Sequence, residues 1–141
     1  MLGIDGAEHE EMAPQASRLV ISKLACSLAG TSQAVRIVPG TLAHQAYGKE
    51  GAVERFRCSY GINPEYRDAI ESGTLRVAGL GSDGEVRVVE LPGHRFFVAT
   101  LFLPQISSSA EAPHPLIVAY LKVAMAFREP ESRARMYLLN K

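Results

Sequence analysis

The side chains able to do covalent chemistry in this chain are few and scattered. There are two thiols, Cys26 and Cys58, and four imidazoles, His9, His44, His94 and His114. A thiolate attacks an amide carbon when a nearby imidazole takes its proton and a third group orients that imidazole. No local pattern supplies this grouping. The cysteines are too far apart for a local metal motif, and neither sits in a glycine-flanked elbow. Each reads as a buried structural thiol, kept reduced inside a cell. His9 lies in the acidic segment with Asp5, Glu8, Glu10 and Glu11, which reads as a solvated loop and not as a metal site. His44 falls on a short helix, His94 on a loop, and His114 before a helix-opening proline, where a structural role is expected. A relocated base among the four is the competing reading. Glu54-Arg55 reads as a solvated or salt-bridged pair on an amphipathic strand. No glycine-rich phosphate loop is present, and no cofactor is expected.

These residues need elements to position them. Phe96 to Phe102 holds only Thr100 as a polar residue, between Pro92-Gly93 and Pro104. A run so short and apolar predicts a strand buried on both faces. Thr74 to Leu80 and Glu85 to Leu91 predict two strands joined by Asp83-Gly84, a hairpin signal. Val53 to Tyr60 alternates, which predicts one strand with Phe56, Cys58 and Tyr60 on a common face. Residues 24–28 and Ala34 to Val38 predict two more strands that could pair as a hairpin. Thr41 and Gly48 bracket a short helix ending at Tyr47, and Asn63-Pro64-Glu65 opens another. His114-Pro115 opens a helix to about Arg128, apolar enough to be covered on most of its circumference. The expected organisation is one domain over residues 1–128 and a tail over 129–141, with Met136 to Leu139 packing on the domain or a partner. The fold class is α/β: a mixed sheet with flanking helices and an antiparallel component.

Composition narrows the partners. The 15 basic and 15 acidic residues among 141 cancel. Nothing electrostatic favours nucleic acid or an anionic membrane. No apolar run approaches the roughly 20 residues that cross a bilayer. The N-terminal segment is acidic, unlike a signal peptide, so a cytoplasmic protein is expected.

Several fragments, in order and in spacing, resemble the glutamine-hydrolysing C-terminal domain of CTP synthases, which are class I glutamine amidotransferases. They are Val38-Pro39-Gly40-Thr41-Leu42-Ala43, Tyr47-Gly48, Glu54-Arg55-Phe56-Arg57 with Tyr60 and Asn63, and Leu75 to Gly79. Val89 to His94, Phe96 to Thr100 and Pro113-His114-Pro115-Leu116 complete the set. The chain also resembles small standalone relatives of that domain. The resemblance implies a flavodoxin-like fold without its N-terminal half, whose strands would lie before Met1 together with the nucleophile elbow. It further implies that a Phe-His-Pro-Glu motif should follow the buried strand. The chain reads Phe102-Leu103-Pro104-Gln105 there, so Leu103 and Gln105 occupy the places of the family's base and its orienting acid. The family's glutamine-binding Arg-His-Arg-Tyr-Glu reads Arg57-Cys58-Ser59-Tyr60-Gly61, leaving Tyr60 and Ser59 as a remnant ligand site.

Three functions are compatible with this. One is a degenerate, non-catalytic domain with a regulatory or partner-binding role. Another is an amidotransferase or other thiol amidohydrolase with its nucleophile upstream of Met1, linked to CTP formation. The third is a component of an assembly: a homo-oligomer, most simply a dimer, using helix 114–128 or the tail.

Overall fold

The computed structural model describes residues 3–139, with side chains as far as Phe127. Its main sheet has five strands in the order β4-β3-β6-β7-β8: Gly51–Arg55, Ser32–Ile37, Arg76–Leu80, Val86–Glu90 and Val98–Thr100. Every pairing in it is antiparallel. A second sheet has the order β1-β2-β5: Glu8–His9, Leu19–Lys23 and Tyr60–Ile62. Its β1–β2 pair is the parallel component. Helices α1 (Leu42–Tyr47), α2 (Arg67–Glu71) and α3 (Pro115–Leu139) complete the mixed α/β architecture.

Local chemistry sets several of these elements as the sequence predicts. Thr41 caps α1, its hydroxyl accepting from the His44 N–H at 3.0 Å, and Gly48 ends the helix at φ 66°. Asn63 accepts from the Glu65 N–H at 3.1 Å and starts the turn that leads into α2. Gly84, at φ 84°, supplies the left-handed residue that closes the β6–β7 hairpin. Gly79 is there for space: a Cβ on it would lie 2.7 Å from Val88 Cγ2. The core gathers Val35, Ile37, Ala43, Phe56, Ala78, Val88, Phe102 and Leu116. Phe56 and Phe102 meet edge-to-face at 5.8 Å, the arrangement their ring quadrupoles favour.

Four expectations are corrected. The apolar run 96–102 is not a strand buried on both faces. Only Val98–Thr100 is strand, it pairs with β7 alone, and Ala99 is exposed at this sheet edge. Phe102 alone of the run is fully buried, while Phe96 lies half-buried against Tyr120 at 5.8 Å. The strand expected at 24–28 is β2, at Leu19–Lys23, and it makes no hairpin with β3 because the two belong to different sheets. Residues 53–60 are two strands. The chain leaves the main sheet after Arg55, and the Phe56 N–H bonds to Thr31 O at 2.9 Å. It joins the small sheet at Tyr60, so Phe56, Cys58 and Tyr60 share no strand face. Helix α3 continues beyond 128 as far as Leu139, and it is not covered all round: Tyr120, Leu121, Met125 and Phe127 are more than half exposed. The side chains of Met136 to Leu139 lie outside the described residues.

Candidate functional site

The two halves of the expected site do not meet. Leu103 sits half-buried before a 3-10 turn at Pro104–Ser107, its N–H donating to Arg55 O at 3.3 Å. Gln105 is exposed on that turn and lines a groove of about 400 Å³ between β8 and α3. Tyr60 instead lines a cavity of about 300 Å³ between the two sheets, its ring 5.1 Å from His9. Ser59 is turned to Ser27, with the two hydroxyl oxygens 2.8 Å apart.

The thiols are also separate. Cys58 is half-buried; its S–H donates to Tyr60 O at 3.1 Å and its sulfur accepts the Tyr60 N–H at 3.3 Å. Cys26 is exposed, against the expectation of burial, because residues 24–28 are loop and not strand. It lines a third cavity, of about 510 Å³, with Lys23, Arg67 and Glu85. Among the described residues neither thiol is hydrogen-bonded to an imidazole, and no grouping of His, Cys, Asp and Glu could hold a metal.

The densest polar cluster lies elsewhere. Glu54 on β4 is 3% exposed and His114, just before α3, is 4% exposed. The Leu116 N–H donates to His114 Nδ1 at 3.2 Å, which makes Nδ1 the acceptor and leaves the proton on Nε2. Nε2–H then reaches both Glu54 oxygens at 3.2 Å. Tyr47, at the end of α1, donates its hydroxyl to Glu54 Oε1 at 2.5 Å. Burial, and then the hydrogen bond to Glu54 and the charge of its carboxylate, push the Tyr47 hydroxyl well above the ordinary tyrosine range. This knot ties α1, β4 and α3 together. It replaces the solvated Glu54-Arg55 pair expected from the sequence; only Arg55 faces out, donating to Ile106 O at 3.1 Å. Glu90 makes a smaller knot, accepting the Leu42 N–H at 2.7 Å at the start of α1, with Arg76 3.6 Å away.

Arg87 on β7 is a residue that sequence reading passed over. It is 5% exposed, and its Nη2 donates to Glu85 Oε1 at 3.0 Å. Its guanidinium lies 5.7 Å from the centre of the Phe56 ring, a cation–π contact worth about 2 kcal/mol when desolvated. Among the described residues Nε and Nη1 have no hydrogen-bond partner. Gly81 leaves room for this group, since a Cβ there would come within 3.0 Å of Nε. The sequence predicts a hairpin strand over Glu85 to Leu91 without singling out Arg87, and all five β7 residues are buried.

With this geometry in place, the comparisons with known proteins are specific. No family model matches the chain. The CTP synthase of Thermomicrobium roseum is 36% identical over 143 residues, covering 94% of this chain and 26% of the relative. That of Saccharolobus solfataricus is 34% identical over 131 residues, covering 86% and 24%. The chain thus spans about a quarter of the length of these curated relatives. The glutaminase domain of Trypanosoma brucei CTPS, solved with bound acivicin, superposes with a TM-score of 0.81 at 24% identity, over 89% of this chain and 53% of that one. A putative GMP synthase component from Thermoplasma acidophilum shares the fold more distantly, at TM-score 0.60 and 11% identity over 79% of this chain and 51% of that one. No described helix is long and apolar enough to cross a membrane. Sequence relatives and shared fold together make this chain a class I glutamine amidotransferase-like domain related to the C-terminal region of CTP synthase.

Proposed function

We propose that this domain keeps the amidotransferase fold for binding and regulation and does not hydrolyse glutamine. The observation that carries this reading is the turn after β8, where Leu103 and Gln105 stand in the places of the family's histidine and glutamate. Leucine takes up no proton, and a neutral amide does not hold an imidazolium. Loss of a general base alone lowers a rate by about 10²–10⁴. His114 is no replacement, because both its ring nitrogens are committed to Glu54 and the Leu116 N–H in a buried knot. Tyr60 and Ser59 are what is left of the ligand site. A glutaminase assay with a sensitive ammonia readout tests the reading. No turnover above buffer is expected. Ammonia release that tracks the purified protein and is abolished by Cys26→Ala or Cys58→Ala would sink it.

A specific surface favours association with a second copy as the way the domain works. Among the described residues the outer edge of β8 is unpaired, and beside it Tyr120, Leu121, Met125 and Phe127 leave apolar area on α3. A homodimer through this face, in the cytoplasm where Cys26 and Cys58 stay reduced, is the expected form. Light scattering at low micromolar concentration checks it, and a monodisperse monomer would rule it out.

A further inference from the structure

Helix α3 starts on a side chain that can change its proton count. We propose that His114 is a proton-operated latch: a second proton on its ring frees the Leu116 N–H and loosens the first turn of α3. That turn hangs on one residue. The His114 carbonyl accepts the Ile117 and Val118 N–H groups at 3.0 and 3.1 Å, and its ring Nδ1 accepts that of Leu116 at 3.2 Å. Pro115 has no N–H to offer. The N–H of His114 itself is held by the Ser108 hydroxyl at 3.0 Å. Helix starts are ordinarily capped by Ser, Thr, Asp or Asn, none of which changes charge near neutral pH, whereas imidazole is the side chain that ordinarily does, between about pH 5 and 8.

The chemistry of the ring makes the response one-sided. Neutral imidazole has one donor and one acceptor, and imidazolium has two donors and no acceptor. Nε2–H already faces both Glu54 oxygens, so the added proton goes to Nδ1, where it meets the Leu116 N–H head-on. Leu116 is 5% exposed, so its N–H has little access to water as a substitute. Around the ring lie Glu54 of β4, the Tyr47 hydroxyl of α1 at 3.3 Å and the Phe102 ring at 6.2 Å, and of these described partners Glu54 alone carries a charge. Its carboxylate holds an imidazolium more firmly than a neutral ring, so the ring stays on β4 and the helix start gives way. The positive end of the α3 dipole adds to this, since it repels a cation at the first turn. Leu116 and Ile117 line the groove between β8 and α3, beside the apolar face assigned above to a second copy. Loosening that turn should weaken the homodimer at acid pH, and this consequence alone rests on the homodimer reading.

The test follows the full-length, isotope-labelled chain by NMR between about pH 8 and pH 5. The Leu116 amide should shift with the same midpoint as the His114 ring. Its exchange with solvent, corrected for the intrinsic effect of pH, should be at least about fivefold faster in the charged form, as for a lost buried hydrogen bond. His114→Asn places an amide oxygen where Nδ1 stood and cannot titrate, so the Leu116 amide should then be insensitive to pH. A ring that takes up no proton before the protein unfolds, a Leu116 amide that does not follow the ring, or a pH response kept in His114→Asn overturns the proposal. If His114→Asn does not fold, the midpoints in the parent protein decide alone. Light scattering over the same range should show dimer giving way to monomer, and a dimer equally tight at both ends overturns the coupling of the latch to that face. A monomer at every pH overturns the homodimer reading alone and leaves the latch to the NMR result, so the two failures are distinguishable.

Discussion

Glu54 and Arg87 are both charged, both almost fully buried and both on strands of the main sheet, yet they are finished differently. Glu54 receives a tyrosine hydroxyl and an imidazole N–H, and the imidazole in turn receives a backbone N–H. Arg87 receives one carboxylate and an aromatic face, with two nitrogens left over. A buried charge with every partner supplied by the chain is a structural joint. A buried charge with partners missing is a cost that the rest of the fold carries. The difference separates a charge that holds this fold from one that the fold tolerates, and mutation can break it.

The largest effect is expected at the joint. His114→Ala strips Glu54 of a donor and the Leu116 N–H of its acceptor. Losing a hydrogen bond to a buried charged acceptor costs about 1.5–3 kcal/mol, and orphaning the Leu116 N–H adds about 1–3 kcal/mol. Urea denaturation should show that loss, and a change under about 1 kcal/mol would mean that the joint carries little. Arg87→Leu makes the opposite case. It removes a half-satisfied charge and fills the space with apolar atoms, so stability should hold or rise by up to about 1–4 kcal/mol. A fall as large as that of His114→Ala would erase the contrast.

Tyr47→Phe sharpens the joint through pH. It removes one hydrogen bond to a charged acceptor, worth about 1.5–3 kcal/mol at neutral pH. The Tyr47 hydroxyl is an acid held above its unfolded value. The stability it contributes is therefore complete below the unfolded value, near 10, and falls as pH rises beyond it. The parent protein should lose at most about 1.4 kcal/mol per pH unit there, less because the ring is only half-buried. Tyr47→Phe should lack that part of the slope. Parallel slopes for the two proteins in denaturation curves between pH 9 and 11 would contradict the assignment.

What was legible in the sequence follows from the range of the interactions. The Thr41 and Gly48 caps, the Asn63 start and the Asp83-Gly84 hairpin are set by neighbours a few residues apart, and all stand as read. The Glu54–His114 joint spans sixty positions, and no local pattern encodes it. Alternation failed at 53–60 because a bend lets one alternating run serve two sheets. Hydrophobic length failed at 96–102 because it reports apolar side chains, not the number of strand neighbours. The family resemblance singled out Leu103, Gln105, Ser59 and Tyr60 by their order along the chain. It did not reveal that Gln105 and Tyr60 line different cavities, nor that Arg87 lines the one with Tyr60.

The two thiols repeat the contrast on the smallest scale. Cys58 has its sulfur tied to the Tyr60 backbone in both directions, whereas Cys26 is exposed on a loop. A thiol reagent such as Ellman's should therefore modify Cys26 quickly and Cys58 only as the small sheet opens. Cys26→Ser should change stability by no more than about 0.5 kcal/mol, the range for surface substitutions that touch nothing. Cys58→Ser should cost more, because the shorter C–O bond moves the acceptor away from the Tyr60 N–H while leaving a polar group half-buried. Equal labelling rates at the two sites in the native protein would show that the link from β4 into β5 is already open.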